Sequence, residues 1–301
     1  MSSKETRVYA GIPTFWRLPE TRDVENKDIT VMGVPFDIGV TNRPGARYGP
    51  RAVREISLHD MKTHYPWSYD VKEKLDMIDY GDIGFELGTE QTIGMIEETY
   101  QHAKRIFDAG SKLLTIGGDH TIPYGMVRAA KEKYGKISLL HIDSHQDTLA
   151  SDSVKISHAT FAHDLAGEGT IDAEASVQTY IRTNMPNDFN YNIIYANEAI
   201  ELGPKALAEK VKSIVGDNPV YITFDIDSLD PAFAPATGTP VPGGPSTYEM
   251  RSFLKHLTGI NVIADDLVEI LPSYDNAQIT ALAGATIAKD LIYLMADNID
   301  K

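Results

Sequence analysis

The sequence predicts an α/β protein built on a mostly parallel sheet of about eight strands. Two observations lead to this fold class. Short apolar runs rich in β-branched residues recur along the chain. Helix-period segments lie between them, and several of these segments end in glycine, as a helix C-cap requires. Strands that alternate with helices are joined by crossovers, and crossover connections produce parallel pairing.

Eight runs have the length and composition of buried strands. In chain order they are ITVMGV (29–34), LDMIDYGD (75–82), LLTIGG (113–118), ISLLHID (137–143), VQTYI (177–181), NIIYA (192–196), VYITFDID (220–227) and VIADDLVEI (262–270). Helix periodicity is clear in EQTIGMIEETYQHAKRIFDAG (90–110), PYGMVRAAKEKYG (123–135), GPKALAEKVKSIVG (203–216) and STYEMRSFLKHL (246–257). The pattern also suits a closed barrel, and in either arrangement ligands gather at the carboxyl ends of the strands.

Composition excludes several classes of function. The chain has 28 Lys and Arg against 43 Asp and Glu, and its net charge of −15 repels phosphate backbones while favouring small cations. It contains no cysteine, so any metal must be held by oxygen and imidazole ligands. No apolar stretch approaches the ~18 residues that span a bilayer, and the first residues lack a signal-peptide pattern. We therefore expect a cytoplasmic protein that binds neither nucleic acid nor membrane.

One stretch is dense in proline and glycine, SLDPAFAPATGTPVPGGPS at residues 228–246. By composition it could be a linker between two domains. However, Asp225 and Asp227 precede it and Glu269 ends the next strand run, so candidate chemistry lies on both sides. A long loop inside a compact domain is usually functional. We therefore predict a single domain over residues 1–301.

Six ligand-type side chains follow three of the predicted strands. Two of the groups have a two-residue spacing, so their side chains would share one face if the strands persist that far. Aspartate at a strand end is also common as a turn residue or helix N-cap. Three strand ends that converge in this way nevertheless predict a metal site. The six residues are His120, Asp143, His145, Asp147, Asp225 and Asp227.

Four carboxylates and two imidazoles can neutralise two divalent ions. An oxygen-rich ligand set suits manganese better than zinc, although the same ligand types also serve nickel. A metal pair can lower the pKa of a bound water to about 7, so hydrolysis is the expected reaction class. The chain lacks the complete phosphate-binding and dinucleotide-binding glycine patterns, so nucleotide binding has little support.

The sequence resembles the ureohydrolase family, which includes arginase and agmatinase. The resemblance rests on GGDH (117–120), DSHQD (143–147) and FDIDSLDPAFAPATGTPVPGG (224–244), and it extends from PTFWRLP to VEILPSYDNAQITALAGATIAKDLIYL. It is closest to the bacterial agmatinase branch. The resemblance implies a three-layer α-β-α arginase-like fold with an open sheet, which decides against the barrel. It also implies two manganese ions bridged by hydroxide, and cleavage of a guanidino group to urea and an amine.

Carried over position by position, the resemblance assigns all six predicted ligands to the metals, with Asp147 also counted among the catalytic residues. It makes His158 a proton shuttle to the leaving amine and Glu269 the carboxylate that holds the guanidinium. Asp152 is a candidate for the substrate's amine tail. Arg182 could receive the carboxylate of a guanidino acid, or form a structural ion pair. The family further implies a small cationic guanidino substrate and a homo-oligomer, either a trimer or a hexamer.

Three departures from the family pattern leave the substrate open: Ser144 where alanine is usual, Gln146 where a small residue is common, and Ala159 where glycine is typical. Agmatine, cleaved to putrescine and urea, is the expected substrate. Guanidinobutyrate, guanidinopropionate, arginine and guanidine are the alternatives. A related-fold amine deacetylase with one zinc ion and a catalytically silent homologue are further alternatives.

Overall fold

The computed structural model describes residues 7–59, 64–86, 88, 90–187 and 189–299, and it contains one open sheet of eight parallel strands. The strand order is β2-β1-β3-β8-β7-β4-β5-β6, so β2 and β6 are edges and the closed barrel is excluded. The strands are β1 Ile29–Val34, β2 Met77–Asp82, β3 Lys112–Gly117, β4 Ser138–Ile142, β5 Val177–Ile181, β6 Asn192–Tyr195, β7 Val220–Asp225 and β8 Val262–Val268. The predicted fold class is confirmed.

Helices cover both faces of the sheet, because every strand except β6 is largely buried and needs apolar partners on each side. One hydrophobic core lies under α2, α3 and α5, and the other lies under α1, α6, α7 and α8. The helices are α1 Gly49–Ser57, α2 Gln91–Asp108, α3 Pro123–Tyr134, α4 Ser151–Val154, α5 Phe161–Gly167, α6 Ala196–Val215, α7 Thr247–His256 and α8 Ile279–Ala296. The molecule therefore has three layers.

Helix α8 corrects the expectation that no apolar stretch of the chain approaches the length that spans a bilayer. The segment Asn276–Ala296 is long enough to cross a membrane, and its apolar window reaches a mean hydropathy of 1.4. Of this window, 78% is buried inside the fold. It contains Lys289, which donates from Nζ to Ser57 O at 3.1 Å, and Asp290, which accepts from Trp67 Nε1 at 2.9 Å. Its apolar character is that of a core helix packed against β3 and β8.

The proline- and glycine-dense stretch 228–246 is a defined loop. Asp230 accepts hydrogen bonds from the main-chain N–H groups of Ala232 and Gly243, at 2.9 and 2.8 Å. At its end, Ser246 and Glu249 form a reciprocal capping box that starts α7. The loop connects β7 to a helix that packs on the same sheet, as one domain requires. The assignment of residues 1–301 to a single domain stays a prediction.

Candidate metal centre

The four central strands of the sheet bring the predicted ligands together. His120 follows β3, Asp143 follows β4, and Asp225 ends β7, while β8 lies between β3 and β7. Since all strands are parallel, their carboxyl ends meet at one edge. The cluster there has two groups of residues, and within each group one ligand atom per residue lies within 4.8 Å of the others. The first group contains His120, His141, Asp143 and Asp147, and the second contains Asp143, His145 and Asp227.

The imidazole of His120 shows that the first group fits a cation. Its Nε2 lies 2.7 Å from Thr223 Oγ1, and that hydroxyl donates to Asp266 Oδ1, so Nε2 is the protonated nitrogen. In a neutral imidazole Nδ1 then carries the lone pair, and it is buried without a hydrogen-bond partner. Three carboxylate oxygens surround it, from Asp143, Asp147 and Asp225 at 3.0, 3.2 and 3.3 Å. The lone pairs of the imidazole nitrogen and of the three carboxylate oxygens repel one another, and a positive ion among them would offset that repulsion.

A second position adjoins the first and shares Asp143. His145 Nδ1 lies 3.0 Å from Asp227 Oδ2 and 3.3 Å from Asp143 Oδ1. The other oxygen of Asp143, Oδ2, is the one near His120. One carboxylate therefore faces both groups, so Asp143 would offer a ligand oxygen to an ion in each. The donor set is imidazole nitrogen and carboxylate oxygen only, as manganese accepts.

Turns, and not strand alternation, aim these side chains. Strand β4 ends at Ile142, before the group begins. Asp143 Oδ1 then accepts from His145 N at 2.6 Å, and Asp225 Oδ1 accepts from Asp227 N at 2.7 Å. Asp147 has a positive φ of 50°. The condition for a shared face, that the strand persists through Asp143–Asp147, is not met, because β4 ends first and each aspartate folds the backbone back two residues later.

Electrostatics of the cluster point to the same requirement for a cation. Burial, followed by repulsion from Asp227 and Asp143, raises the pKa of Asp225 well above its usual value. Burial and the charge of Asp143 also raise the pKa of Asp227. Burial lowers the pKa of His145, but Asp227 and Asp143 together outweigh it and raise that pKa to about 12. Divalent ions among these groups would offset the repulsion between the carboxylates.

Glu269 stands beside the cluster with one oxygen anchored and the other without a hydrogen-bond partner. Its Oε1 accepts from His120 N at 3.0 Å and lies 2.9 Å from His158 Nδ1. Its Oε2 is buried and has no partner. A Cβ on Gly238 would lie 3.1 Å from Oε2, so glycine keeps the space in front of it open. The backbone of Glu269 has a φ of 64°, a strained conformation of the kind found at functional sites.

His158 lies between Glu269 and a loop that precedes α1. It is 7% exposed. Burial lowers the pKa of His158, but the hydrogen bond to Glu269 and the Glu269 charge outweigh burial and raise it to about 9. On the other side of the ring, Thr41 N and Thr41 Oγ1 lie 3.0 and 2.8 Å from Nε2. The two residues predicted for proton transfer and guanidinium binding are thus in direct contact.

The two remaining predicted substrate residues lie in different surroundings. Asp152 is exposed on α4, in the connection between the cluster and His158.

The predicted role of Arg182 in substrate binding needs a correction. Its guanidinium donates to the carbonyl oxygens of residues 180, 227, 228, 229 and 241, at 2.7 to 3.1 Å. With all of its N–H groups engaged, Arg182 braces the loop after β7 and has no donor left for a substrate carboxylate.

The sequence reasoning missed His141. This fully buried residue lies 2.8 Å from Asp143 Oδ2 through Nε2, and its Nδ1 lies 3.0 Å from Gln178 Nε2. Since an amide nitrogen only donates, Nδ1 accepts, and Nε2–H donates to the carboxylate. His141 therefore orients Asp143. Its position two residues before Asp143, in the same spacing as the other candidates, is the signal that could have identified it.

All three departures have defined hydrogen bonds, two through the side chain and one through the backbone. The hydroxyl of Ser144 donates to Asp227 Oδ1 at 2.7 Å, so it adds a hydrogen bond to a predicted ligand. Gln146 is fully buried, and its Oε1 accepts from Met185 N at 3.0 Å, in the loop after β5. Ala159 is partly buried, and its carbonyl accepts from Leu149 N at 3.0 Å.

The fold and the site together are typical of a metal-dependent hydrolase, with the candidate centre at the carboxyl edge of a parallel sheet. The chain belongs to the arginase family, whose model matches residues 27–293. It is 43% identical over 292 residues to an agmatinase of Chromobacterium violaceum, covering 96% of this chain and 90% of the relative. The predicted family resemblance is confirmed.

Solved structures agree with this family. A structure described as a hypothetical agmatinase from Burkholderia thailandensis has a TM-score of 0.91 at 42% identity, covering 96% of this chain and 92% of the other. Proclavaminate amidino hydrolase from Streptomyces clavuligerus has a TM-score of 0.92 at 33% identity, covering 97% and 100%. The chain is therefore a ureohydrolase-type enzyme.

Proposed function

We propose that the protein hydrolyses agmatine to putrescine and urea with two divalent ions, manganese in preference to nickel. The observation that carries this proposal is the unpartnered Oε2 of Glu269, buried beside a cluster of metal-ligand type. A planar cation with N–H donors, such as guanidinium, satisfies both its charge and its lone pairs. Agmatine supplies that cation, and the agmatinase of Chromobacterium violaceum is a relative over nearly the whole chain.

In this proposal the six predicted ligands would hold the ions, and Asp143 belongs to both groups of ligand atoms. When bound, the ion pair supplies Lewis acidity and a water that is nucleophilic at neutral pH. Glu269 fixes the plane of the guanidinium through Oε2 while Oε1 stays anchored to His120 N. His158 holds a proton on its ring and gives it to the departing amine. His141, which donates to Asp143 Oδ2, keeps the shared carboxylate in orientation.

The groups available to bind the tail of the substrate favour agmatine over guanidino acids. A guanidino acid needs a cation for its carboxylate, and Arg182 has its N–H groups occupied by carbonyl oxygens. The amine tail of agmatine needs an acidic or neutral acceptor instead, and exposed Asp152 on the connection before His158 is a candidate. The chain's net charge of −15 also favours a cationic substrate.

The test is urea release by manganese-loaded protein from agmatine, arginine, guanidinobutyrate, guanidinopropionate and guanidine. We expect a strong preference for agmatine. Preference for guanidinobutyrate would reassign the substrate to a guanidino acid, and release from none of them would support a catalytically silent homologue. Counting bound metal per chain separates the proposed pair from a one-zinc deacetylase, and activity with nickel tests the choice of ion. The homo-oligomeric state and the cytoplasmic location stay predictions.

A further inference from the structure

Both ring nitrogens of His158 are already occupied, which raises the question of how a proton leaves the ring. Nδ1 lies 2.9 Å from Glu269 Oε1. Nε2 has two contacts with Thr41, at 3.0 Å to the main-chain nitrogen and 2.8 Å to Oγ1. His158 is buried, whereas Thr41 is exposed. Thr41 therefore stands between the buried imidazole and the solvent side of the loop.

The chemistry of these contacts distinguishes the two partners on Thr41. A main-chain N–H only donates, so it fits Nε2 when that nitrogen is an unprotonated acceptor. A hydroxyl both donates and accepts. When Nε2 gains a proton, the N–H contact loses its acceptor, but Oγ1 reverses its role and accepts from Nε2–H. Of the two Thr41 groups, only the hydroxyl serves both protonation states of the ring.

The other ring nitrogen offers a poorer exit. A proton leaving through Nδ1 passes to Glu269, and a neutral Glu269 no longer attracts the guanidinium that its Oε2 is proposed to hold. The Nε2 side avoids this conflict. The charged groups whose fields act on the ring are Glu269, Asp147 and Asp119, and the contacts of Nε2 are with Thr41 and not with any of these three.

The loop that carries Thr41 is held against the substrate space. Gly39 N donates to Asp119 Oδ2 at 2.8 Å, and His158 N donates to Gly39 O at 3.0 Å. A Cβ on Gly39 would meet Thr121 Oγ1 at 2.0 Å, so a side chain here would displace the Thr121 hydroxyl. The next residue after Thr41, Asn42, donates from Nδ2 to the carbonyl oxygen of Gly238 at 2.9 Å.

Gly238 connects this loop to the guanidinium position. It is the residue whose missing side chain leaves space in front of Glu269 Oε2, and the carbonyl oxygen of Arg43 lies 3.5 Å from where its Cβ would be. The segment 41–43 therefore borders the same space as the proposed guanidinium site. Thr41 directly precedes Asn42 and Arg43, so its hydroxyl, 2.8 Å from His158 Nε2, lies on the same loop.

We propose that the Thr41 hydroxyl relays the proton from His158 to the leaving amine. The relay rests on the proposed function. In the step, Nε2–H passes its proton to Thr41 Oγ1 while Oγ1–H passes its own proton to the amine nitrogen. The ring loses one proton, the amine gains one, and threonine is unchanged. Water then returns a proton to the ring for the next turnover.

The test compares Thr41→Val, which keeps the shape and the main-chain N–H but lacks the hydroxyl, with Thr41→Ser, which keeps the hydroxyl. Thr258→Val is the matched control, since that hydroxyl donates to Lys255 O before β8, at the opposite edge of the sheet. Urea release from agmatine and bound manganese are measured for each. We expect kcat of Thr41→Val to fall about tenfold with KM changed less than about twofold and metal content unchanged. Thr41→Ser and Thr258→Val should stay within about twofold of the natural sequence.

Several results would overturn the relay. These are a Thr41→Val enzyme as fast as the natural sequence, a Thr41→Ser enzyme as slow as Thr41→Val, or a loss confined to KM. If Thr41→Val fails to load manganese, Thr41→Ala is measured in its place, and failure of both to load shows a structural role for Thr41. A natural enzyme that releases no urea from agmatine refutes the proposed function instead, so the two failures are distinguishable.

Discussion

Replacing Asp265 with leucine is expected to stabilise the protein, and more so as pH rises. Asp265 lies in β8, fully buried, and neither of its side-chain oxygens has a hydrogen-bond partner. Its register partners on the neighbouring strands are Leu114 and Ile222, both members of the core under α8. Adjacent Asp266 points to the other face, where it accepts from Tyr221 and Thr223. Asp265 is thus an acid in an apolar layer.

The expected magnitude has two parts. A buried polar group without a partner costs about 1 to 3 kcal/mol, and leucine removes it with a similar branched shape. Burial, then repulsion from Asp266, raises the pKa of Asp265 well above its unfolded value of 3.8, while Lys112 lowers it to a lesser extent. Because the folded pKa is raised, the stability contribution is full below pH 3.8 and is lost as pH rises toward the folded pKa. The loss is at most about 1.4 kcal/mol per pH unit.

The assay is urea unfolding of the natural sequence, Asp265→Leu and Asp265→Asn at fixed protein and manganese concentration. Buried Trp16 and Trp67 provide the fluorescence signal. Asp265→Asn removes the titration but keeps polar atoms, so it should lose the pH dependence with a smaller gain. The pH range is about 5 to 6.5, where nearby Lys112, whose pKa burial lowers to about 8, stays charged. A leucine advantage that is absent, or that does not grow with pH, would refute a protonated native Asp265.

Three further substitutions test the site. Glu269→Gln should lower kcat/KM for agmatine about 100-fold with manganese content unchanged, because the charge facing the guanidinium is lost. Steady-state urea release measures this loss, and a kcat/KM close to that of the natural sequence would contradict it. His158→Asn should lower kcat about 100-fold or more at unchanged metal content, since the proton carrier is removed; unchanged turnover would show that the shuttle assignment is wrong. Arg182→Lys should lower the free energy of unfolding by about 2 to 4 kcal/mol, because an ammonium cannot reach all of the carbonyls that the guanidinium bonds. Thermal unfolding measures that loss, and a variant of natural stability with altered guanidinobutyrate preference would restore the substrate role of Arg182.

Strands were predictable because each is a short apolar run ended by turn residues. The predicted runs 29–34 and 177–181 coincide with β1 and β5. Helix α6 is longer than its predicted segment 203–216, since it begins at Ala196 and continues across a kink at Gly203, which precedes Pro204. Helix α8 lacks a clear period because it is apolar on most of its surface and buried on most sides.

Most side chains that meet at the candidate site were predictable from the sequence, but His141 and Thr41 were missed, and the geometry of the site was not predictable. All six predicted ligand positions lie in the cluster, but turns made by Asp143 and Asp225 place them, and turn geometry depends on hydrogen bonds that a spacing pattern does not contain. Thr41 reaches His158 across 117 positions of sequence, a contact that only the fold creates. The substrate role of Arg182 was misread for the same reason, because most of its carbonyl partners come from residues 227–241, which are distant in sequence.

Strand β8 is the last strand along the chain, yet it occupies the middle of the sheet between β3 and β7. Until it inserts, the earlier strands form two separate flanks, and the edges that will bracket Glu269 are unpaired. The metal cage spans this gap, since His120 belongs to one flank while Asp143 and Asp225 belong to the other. During synthesis on the ribosome, the first ligand group and Glu269 therefore come together only when the closing strand inserts, which makes completion of the whole centre a late event in folding.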